Sequence, residues 1–382
     1  MRRRGAAGYR RNRRRRQRPD VKALLAVAPV EQRAIVLAIM GAPLVARVQD
    51  RRVMVDLRVA FWNVQNLFEP GTSKYAPKDE QELLAKLDVI ARILDGLFAG
   101  AGPDLVGLAE IHTERILDLL MQRLRQRHLK LFEPCGHDRW TGLAVLARAD
   151  RFTRLVCERA YRPWVTSMPR WMIARCQLGE DQGRASILLV VNHWRSRVTD
   201  AEGRAAEERL ETARALRVTL ARSRLDTCAI VLGDFNAEPF EEPFGEGGLR
   251  TVRHFDPRLW DEEAPSCLYN TAWRFLAEPD WWETVEARGD AYRASRPRTT
   301  FNASPPVLFD QLLVSGRALR GGPISLRESS VAYAADDETA SVTSRGYRRP
   351  LRWNYGEGSG SGASDHFPLV ATFRMNGGTG DD

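Results

Sequence analysis

The stretch Thr227–Pro239, which reads TCAIVLGDFNAEP, decides the fold. Its first six residues, 227–232, are mostly apolar and predict a buried strand. Gly233, Asp234 and Asn236 follow at the point where this strand ends. Folds of the α/β class commonly place their sites beyond strand ends. We therefore predict an α/β fold that carries a site at the end of this strand.

Five further short segments place carboxylates, amides and histidines just beyond apolar strands. These segments are Phe61–Asn66 (FWNVQN), Leu108–Glu110 (LAE), Val191–Trp194 (VNHW), Phe309–Leu312 (FDQL) and Ser364–Pro368 (SDHFP). Any one of them, taken alone, is typical of a chain that meets water at a strand end. Together they bring carboxylates, histidines and amides to one sheet edge. That set suits hydrolysis of a phosphate ester, which needs oxygen ligands for Mg²⁺, a base for water and a proton donor for the leaving group.

The order of the predicted elements indicates a mixed architecture. We predict strands at Met54–Trp62, Leu105–Ala109, Gly142–Arg148, Trp171–Leu178, Ser186–Val191, Thr227–Leu232, Phe309–Ser315 and Phe367–Phe373. We predict helices at Asp79–Leu97, at Thr113–His128 with Thr113 as N-cap, and at Asp200–Arg222. Several strands follow one another directly, so a purely parallel βαβ order does not hold. The pattern favours a four-layered α/β sandwich, in which two packed mixed β-sheets are flanked by helices.

The charge of the chain is concentrated at its start. Residues 1–20 hold ten of the 58 basic residues and one of the 49 acidic residues, so 48 of each remain elsewhere. The net charge of +9 therefore describes this segment and not the rest of the chain. We predict a disordered arginine-rich tail at 1–20, an extension with short helices at 21–52, a catalytic domain at 53–375 and a disordered tail at 376–382. The tail has three open interpretations: it binds nucleic acid electrostatically, it is a solvated extension, or it arises from an upstream start codon.

The cysteine content and the lengths of the apolar runs limit the classes of protein to which the chain can belong. Five scattered cysteines without CxxC spacing indicate neither a disulfide framework nor a zinc site. We expect a reducing, cytoplasmic location, with export as the alternative. No apolar run reaches the length of a transmembrane helix, and no obligate protein partner is inferred.

The motifs in their order resemble the endonuclease/exonuclease/phosphatase superfamily. The resemblance runs from Val53 to Phe373 and is carried by WNVQNLF, the glutamate after an apolar strand, NHW, GDFNAEP, FDQLLVS and SDHFPL. That superfamily includes pancreatic-type deoxyribonucleases, exonuclease III-like repair endonucleases, inositol polyphosphate 5-phosphatases and neutral sphingomyelinases. The resemblance implies a hydrolase that depends on Mg²⁺, with Mn²⁺ as a possible substitute.

The resemblance also implies metal and phosphate ligands. Glu110 matches the principal metal-ligating glutamate, Asn63 matches the amide on the first strand, and Asp365 would hold the metal or a metal-bound water, or orient its neighbour. Gln65 stands where the repair endonucleases carry an aspartate. Because an amide binds Mg²⁺ less strongly than a carboxylate does, one metal or two remains open; Gln65 is kept as a possible phosphate ligand.

The catalytic roles follow from the same resemblance. Asp234 would position and deprotonate the attacking water, and Asn236 would donate to a phosphoryl oxygen. His366 would face the developing negative charge, oriented by Asp310, and His193 would protonate the leaving oxygen.

Other features carry two interpretations each. Arg195 and Arg197 either clamp a phosphate or lie solvated on a loop, and the tryptophans of 239–306 either stack bases or pack an irregular region. The function expected is metal-dependent hydrolysis of a phosphodiester, with DNA or RNA as the substrate. The alternatives are an inositol-phosphate or phospholipid phosphoesterase, and a catalytically silent binding protein on the same fold.

Overall fold

The structure is a computed structural model that describes residues 56–135, 141–163, 168–179, 185–197, 204–222, 228–256, 259, 267–276, 307–336, 338–342, 348–355 and 362–376. The predicted tail at 1–20, the extension at 21–52 and most of the glycine-rich segment 356–363 lie outside these residues. All of 277–306 lies outside them too. The described chain ends at Asn376, which donates from its backbone N to the carbonyl of Pro323.

Strands supply most of the regular structure. They are β1 (Leu57–Leu67), β2 (Leu105–Ile111), β3 (His128–Glu133), β4 (Gly142–Arg148), β5 (Phe152–Tyr161), β6 (Trp171–Leu178), β7 (Ser186–His193), β8 (Cys228–Asp234), β9 (Thr251–Val252), β10 (Leu268–Asn270), β11 (Asp310–Val314), β12 (Ile324–Tyr333), β13 (Ala340–Val342), β14 (Arg348–Pro350) and β15 (Leu369–Met375). The helices are α1 (Glu80–Gly96), α2 (Glu114–Met121), α3 (Ala205–Ala221), α4 (Trp273–Leu276) and α5 (Gly316–Leu319), with a 3-10 helix at Glu242–Phe244.

Within the described residues, two mixed sheets form the centre of the fold. One sheet has the strand order β12-β15-β1-β2-β4-β3, and the other has β5-β6-β7-β8-β11-β10-β9. Strand β1 pairs in parallel with β2 and antiparallel with β15, while β8 pairs in parallel with β7 and antiparallel with β11. Both predicted properties, two sheets and mixed pairing, are therefore confirmed.

Three apolar clusters define the layers. The largest cluster contains inward-facing residues of both sheets, including Phe61 and Leu232, and forms the core between them. A second cluster joins β1 and β2 to α1 and α2, and a third joins β7 and β8 to α3. The order helix, sheet, sheet, helix is the predicted four-layered sandwich.

Helix α1 shows why the sequence folds as it does locally. Its N-cap Asp79 accepts a hydrogen bond from the backbone N of Glu82 at 2.8 Å, which satisfies one of the free N–H groups of the first turn. Leu83, Leu87 and Ile90 are spaced to lie on one face and are fully buried. This helix matches the prediction for Asp79–Leu97.

The helix predicted at Thr113–His128 is too long. Thr113 does cap α2, but the helix ends at Met121, and His128–Glu133 form β3 instead. Residues 122–127 are polar except for Leu124, so the apolar stripe does not continue beyond that residue. Strands β3, β5 and β12 are absent from the prediction, and each lies at the edge of its sheet. An edge strand has a partly exposed face, so its apolar signal is weak.

Two smaller predictions can be compared with the described residues. All five cysteines are free, and Cys176, Cys228 and Cys267 are buried. Among the described helices, none is long and apolar enough to span a membrane.

Candidate active site

Strand ends from both sheets meet at one site. Asn63 and Glu110 lie in the neighbouring strands β1 and β2, with Asn63 opposite Ala109. In the other sheet, Asp234 lies opposite His193 of β7 on one side and opposite Asp310 of β11 on the other. Pairing register thus brings residues that are far apart in sequence to adjacent positions.

Glu110 is fixed by hydrogen bonds to both carboxylate oxygens. The side-chain amide of Asn63 donates to Oε1 at 2.9 Å, and the backbone N of Asn66 donates to Oε2 at 2.5 Å. The Glu110 side chain is 17% exposed, so its oxygens remain accessible from the site. This is an oriented carboxylate with coordination capacity left on each oxygen.

The backbone around Glu110 is strained. Gln65, Asn66, Glu110 and Asn236 all have positive φ angles, of 52°, 46°, 68° and 48°. Residues with a Cβ rarely adopt this region, and such strain persists only where the surrounding structure enforces it. Here it turns the Asn66 N–H toward Glu110.

Asp234 is the buried centre of the site. Its Oδ1 accepts from the backbone N of Asn236 at 3.0 Å, and its Oδ2 accepts from the Asn63 amide at 3.1 Å. The Nε2 atoms of His366 and His193 lie 3.7 and 3.9 Å from Oδ2. Gly233 precedes it with φ 153°, and a Cβ there would meet the Asn192 carbonyl oxygen at 2.3 Å. Only glycine lets β7 and β8 approach so closely beside the aspartate.

His366 and Asp310 form a buried pair. The Nδ1 atom of His366 lies 2.8 Å from Oδ2 of Asp310, and the Asp310 side chain is fully buried. Burial lowers the pKa of His366, but the charges of Asp310 and Asp234 outweigh it and raise this pKa well above its usual range. The cationic form of the imidazole is therefore favoured, and its Nε2 lies 3.7 Å from Oδ2 of Asp234.

His193 lies in a different environment. Its Nε2 is 3.5 Å from Oε1 of Glu110, while its buried Nδ1 has no hydrogen-bond partner among the described residues. Burial lowers the pKa of His193, against the opposing charges of Glu110 and Asp234. A neutral imidazole with the proton on Nε2 fits both nitrogen environments.

Asp365 lies at the mouth of the site. Its Oδ2 accepts from Nη2 of Arg352 at 3.5 Å, a weak contact on a half-exposed guanidinium. Ser364 organises the backbone here, because its hydroxyl donates to the Asn63 carbonyl at 2.6 Å and accepts from the backbone N of His366 at 3.1 Å. The SDH motif is thereby attached to β1.

Several predicted phosphate ligands have protein partners. The Asn236 side-chain amide donates to the Trp194 carbonyl at 3.2 Å. Arg197 donates to the Asn236 carbonyl at 3.0 Å, pairs with Glu241, and lies over the Phe309 ring at 4.5 Å from its centroid. These contacts hold Arg197 beside the site. The geometry differs from both predicted states, which were a phosphate clamp and a freely solvated side chain.

Arg195 lies on the α3 side of the same loop. Its Nε is 4.0 Å from Oε2 of Glu208, and its carbonyl accepts from Nη1 of Arg209 at 3.1 Å.

The structure corrects the prediction for Gln65. Its side chain is 3% exposed, and its amide pairs with the Trp353 backbone, accepting from N at 3.2 Å and donating to O at 3.4 Å. Both polar atoms are therefore occupied by main-chain groups. Gln65 attaches a neighbouring segment to β1 and does not face a phosphate.

The donor atoms fit a hard divalent cation. Asp234, Asp310 and His366 offer ligand atoms within 4.8 Å of one another, so this group could hold a metal. However, the shared proton between Asp310 and His366 already occupies one of these oxygens and one nitrogen. Glu110 and Asp365 also provide carboxylate oxygens: each Glu110 oxygen accepts one hydrogen bond and Oδ2 of Asp365 has only the weak contact with Arg352, so lone pairs remain for an ion that prefers oxygen ligands.

Three residues beside the site were missed by the sequence analysis. Lys86 and Tyr355 contact the turn formed by Gln65 and Asn66, which lies after Asn63 within β1. Arg352 contacts Asp365. Lys86 carries a detectable signal, because it stands three residues after Leu83 and four before Ile90, on the apolar stripe of α1. Neither Arg352 nor Tyr355 lies in a recognisable motif.

Comparisons with known proteins agree with this arrangement. The model of the Endonuclease/Exonuclease/phosphatase family matches residues 58–265. No curated protein matches the chain.

Three solved structures are similar to this chain. An endonuclease/exonuclease/phosphatase family protein from Bacteroides thetaiotaomicron is 14% identical, over 84% of this chain and 96% of that chain, with a TM-score of 0.49. The D. rerio TDP2 complexed with single strand DNA product is 15% identical, over 84% and 99%, with a TM-score of 0.48. A mannosyl-6-phosphatase from Bacteroides thetaiotaomicron VPI-5482 is 14% identical, over 84% and 100%, with a TM-score of 0.47.

Proposed function

This chain belongs to the endonuclease/exonuclease/phosphatase family and is a phosphoesterase hydrolase, and we propose that it is a Mg²⁺-dependent phosphodiesterase that acts on DNA or RNA. The observation that carries the proposal is the 2.8 Å contact between Asp310 and His366, directed at Asp234 beside the oriented Glu110. A cationic donor, a carboxylate base and a free carboxylate ligand within one buried site are the requirements of in-line attack on a phosphate ester.

The proposed metal ligands are Glu110 and Asp365, with the Asn63 amide holding Glu110 in place. A bound Mg²⁺ would supply charge stabilisation at the phosphoryl oxygens. Mn²⁺, which also prefers oxygen ligands, would substitute for it.

The protein groups divide the remaining chemistry. Asp234 orients the attacking water and accepts its proton through Oδ2, the oxygen nearest to both histidines. His366 donates from Nε2 to a phosphoryl oxygen as negative charge develops, and Asp310 holds the proton on Nδ1. His193, neutral before substrate binds, takes up a proton when the negatively charged phosphate binds beside it; the resulting imidazolium donates from Nε2 to the leaving oxygen and returns to the neutral imidazole. Asn236 donates its remaining amide hydrogen to the phosphoryl group.

Two exposed aromatic side chains support a nucleic-acid substrate. Tyr75 is 55% exposed on the loop after β1, and Phe240 is 59% exposed on the loop after Asp234. Both loops leave strands whose ends carry site residues. Exposed aromatic rings on such loops are suited to stacking bases of a single strand.

The charge balance supports a second candidate, an inositol-phosphate or phospholipid phosphoesterase. Outside residues 1–20 the chain has equal numbers of basic and acidic residues, 48 of each, and so lacks the excess charge that favours a duplex. A small anionic substrate does not need that excess.

A substrate panel separates the candidates. The full chain is tested on plasmid DNA, single-stranded DNA, RNA, inositol phosphates and sphingomyelin, each with Mg²⁺ and with EDTA. We expect cleavage of a nucleic acid that EDTA abolishes. Turnover of inositol phosphates or sphingomyelin alone would overturn the nucleic-acid assignment, and undiminished activity in EDTA would overturn the metal assignment.

A further inference from the structure

A lysine is buried beneath the turn that follows Asn63. Lys86 lies on α1 and has no exposed surface. Its Nζ donates to the Gln65 carbonyl at 2.5 Å and to the Tyr355 hydroxyl at 2.6 Å. Lysine is among the residues least often fully buried, so its retention here calls for a specific role.

Tyr355 contacts the same turn from the other side. Its hydroxyl lies 2.8 Å from the Gln65 carbonyl and 2.6 Å from the Asn66 carbonyl, so one hydroxyl proton serves two acceptors. The Lys86 Nζ also lies 4.8 Å from the centre of the Tyr355 ring. Together the two side chains hold both carbonyls of the turn.

The turn holds the carboxylate of Glu110. Gln65 and Asn66 have positive φ, and this conformation directs the Asn66 N–H at Oε2 of Glu110, at 2.5 Å. If the turn relaxed to an ordinary backbone conformation, that N–H would point elsewhere. The contact that fixes Glu110 therefore depends on groups that enforce the unfavourable conformation.

We propose that Lys86 and Tyr355 are positioning residues, which clamp the Gln65–Asn66 turn so that Glu110 is held ready to bind a divalent cation. This inference rests on the metal site of the proposed function. Neither residue contacts the carboxylate, and each acts through the turn. Groups that orient a metal ligand typically contribute about 10- to 100-fold in metal affinity.

The direction in which the cation affinity changes distinguishes a clamping role of Lys86 from a purely electrostatic one. Asp365 and Glu110 are the carboxylates whose charges act most on Lys86, so its positive charge opposes a cation bound by them. Removing only that charge would tighten cation binding. Removing a clamp would weaken it, and the two roles predict opposite shifts.

The test measures Mn²⁺ binding to the full chain by calorimetry, without substrate, alongside thermal unfolding. We expect Lys86→Met to weaken Mn²⁺ binding by about 10-fold or more, and Tyr355→Phe by about 3- to 10-fold. Tyr355→Phe changes no charge and little volume, so it tests the clamp even if Lys86→Met fails to fold.

Two control variants exclude general destabilisation. Tyr269→Phe also removes one tyrosine hydroxyl contact, to Glu328. Leu83→Ala opens a cavity in the same helix as Lys86. We expect both to bind Mn²⁺ within about two-fold of the unmodified chain, even where their melting temperature falls, because neither side chain makes a hydrogen bond to the turn.

Each outcome has one meaning. Unchanged or tighter Mn²⁺ binding in Tyr355→Phe, or tighter binding in Lys86→Met, would overturn the clamp. Equal weakening in Tyr269→Phe would show that the effect is not specific to the turn and would overturn it too. If the unmodified chain binds no Mn²⁺, the proposed metal site fails first, and the clamp fails with it.

Discussion

Asp310→Asn tests the buried pair that would stabilise charge in the reaction. The variant keeps the shape of Asp310 and removes its negative charge, 2.8 Å from Nδ1 of His366. With charge centres about 4 Å apart and an effective dielectric constant of about 20, that charge contributes about 4 kcal/mol to a cationic His366. If the reaction uses that cation, kcat falls by roughly 10³-fold.

The same variant should have little effect on stability. Oδ1 of Asp310 is buried without a partner among the described residues, so the carboxylate is poorly solvated already. When the charge of Asp310 is removed, His366 can release its proton, and the Asp234 carboxylate that remains beside it keeps its two hydrogen bonds from Asn63 and Asn236. We expect the melting temperature to stay within a few degrees or to rise.

Asp104→Asn is the matched control. Asp104 is also fully buried, but it lies before β2, at the opposite strand end from Glu110, and pairs with Arg58 at 2.7 Å, Arg148 at 3.2 Å and Arg151 at 3.5 Å. Arginine cannot release its proton, so this substitution removes the buried carboxylate that three largely buried arginines share and costs about 3–5 kcal/mol of stability. Its kcat should not change.

The assay follows hydrolysis of the best substrate from the panel, with kcat and KM for each variant and melting temperature by calorimetry. We expect Asp310→Asn to lose kcat without losing stability, and Asp104→Asn to lose stability without losing kcat. A kcat within about three-fold of the unmodified chain for Asp310→Asn would refute the proposed role of the pair.

Three further predictions concern other parts of the molecule. Phe240→Ala should raise KM for single-stranded nucleic acid by about 10-fold or more with little change in kcat, because a stacked base is worth about 1–3 kcal/mol; an unchanged KM would remove the stacking role. Burial lowers the pKa of Lys86 to about 7 from an ordinary value of 10.5, so above pH 7 the unfolded chain binds more protons than the folded one. The free energy of unfolding of the unmodified chain, relative to that of Lys86→Met, should therefore rise by up to about 2–3 kcal/mol between pH 7 and 9, as measured by urea unfolding. If this difference does not change with pH, the buried environment of Lys86 is contradicted. Removing residues 1–20, or 1–53, should leave kcat unchanged. If the arginines bind nucleic acid, the shortened chains should have a higher KM at low salt and a weaker dependence of KM on salt. Equal dependence of KM on salt in all three chains would indicate a mere extension.

The central strands could be predicted because they are buried on both faces. Gly142–Arg148 and Trp171–Leu178 have the predicted bounds. Continuous apolar runs of this kind leave little choice of structure. Strand β5, with the sequence FTRLVCERAY, lies at a sheet edge, and its polar residues alternate with apolar ones too irregularly to predict a strand. Its pairing with β6 comes from tertiary structure, which a local pattern does not contain.

The residues of the candidate site could be predicted from the sequence, but the contacts that surround each side chain could not. The motifs placed Glu110, Asp234 and His366 at strand ends, and the sheets bring those ends together. They could not show that the Gln65 side chain turns toward the Trp353 backbone, since that partner is 288 residues away. Lys86 was missed for a related reason: the helix pattern places it on the buried face, but its acceptors come from β1 and from a distant loop.

The most direct test of the central claim is metal binding and turnover in Glu110→Gln. This variant keeps the size and shape of the side chain, removes the negative charge to which we assign Mg²⁺, and replaces one of the two acceptor oxygens by a donor NH2 group. The account predicts that the unmodified chain binds a divalent cation and hydrolyses a phosphodiester only in its presence. It also predicts that Glu110→Gln remains folded, binds Mn²⁺ much more weakly, and loses at least about 10²-fold in kcat/KM. Near-normal turnover by Glu110→Gln, or full activity of the unmodified chain in EDTA, would contradict it.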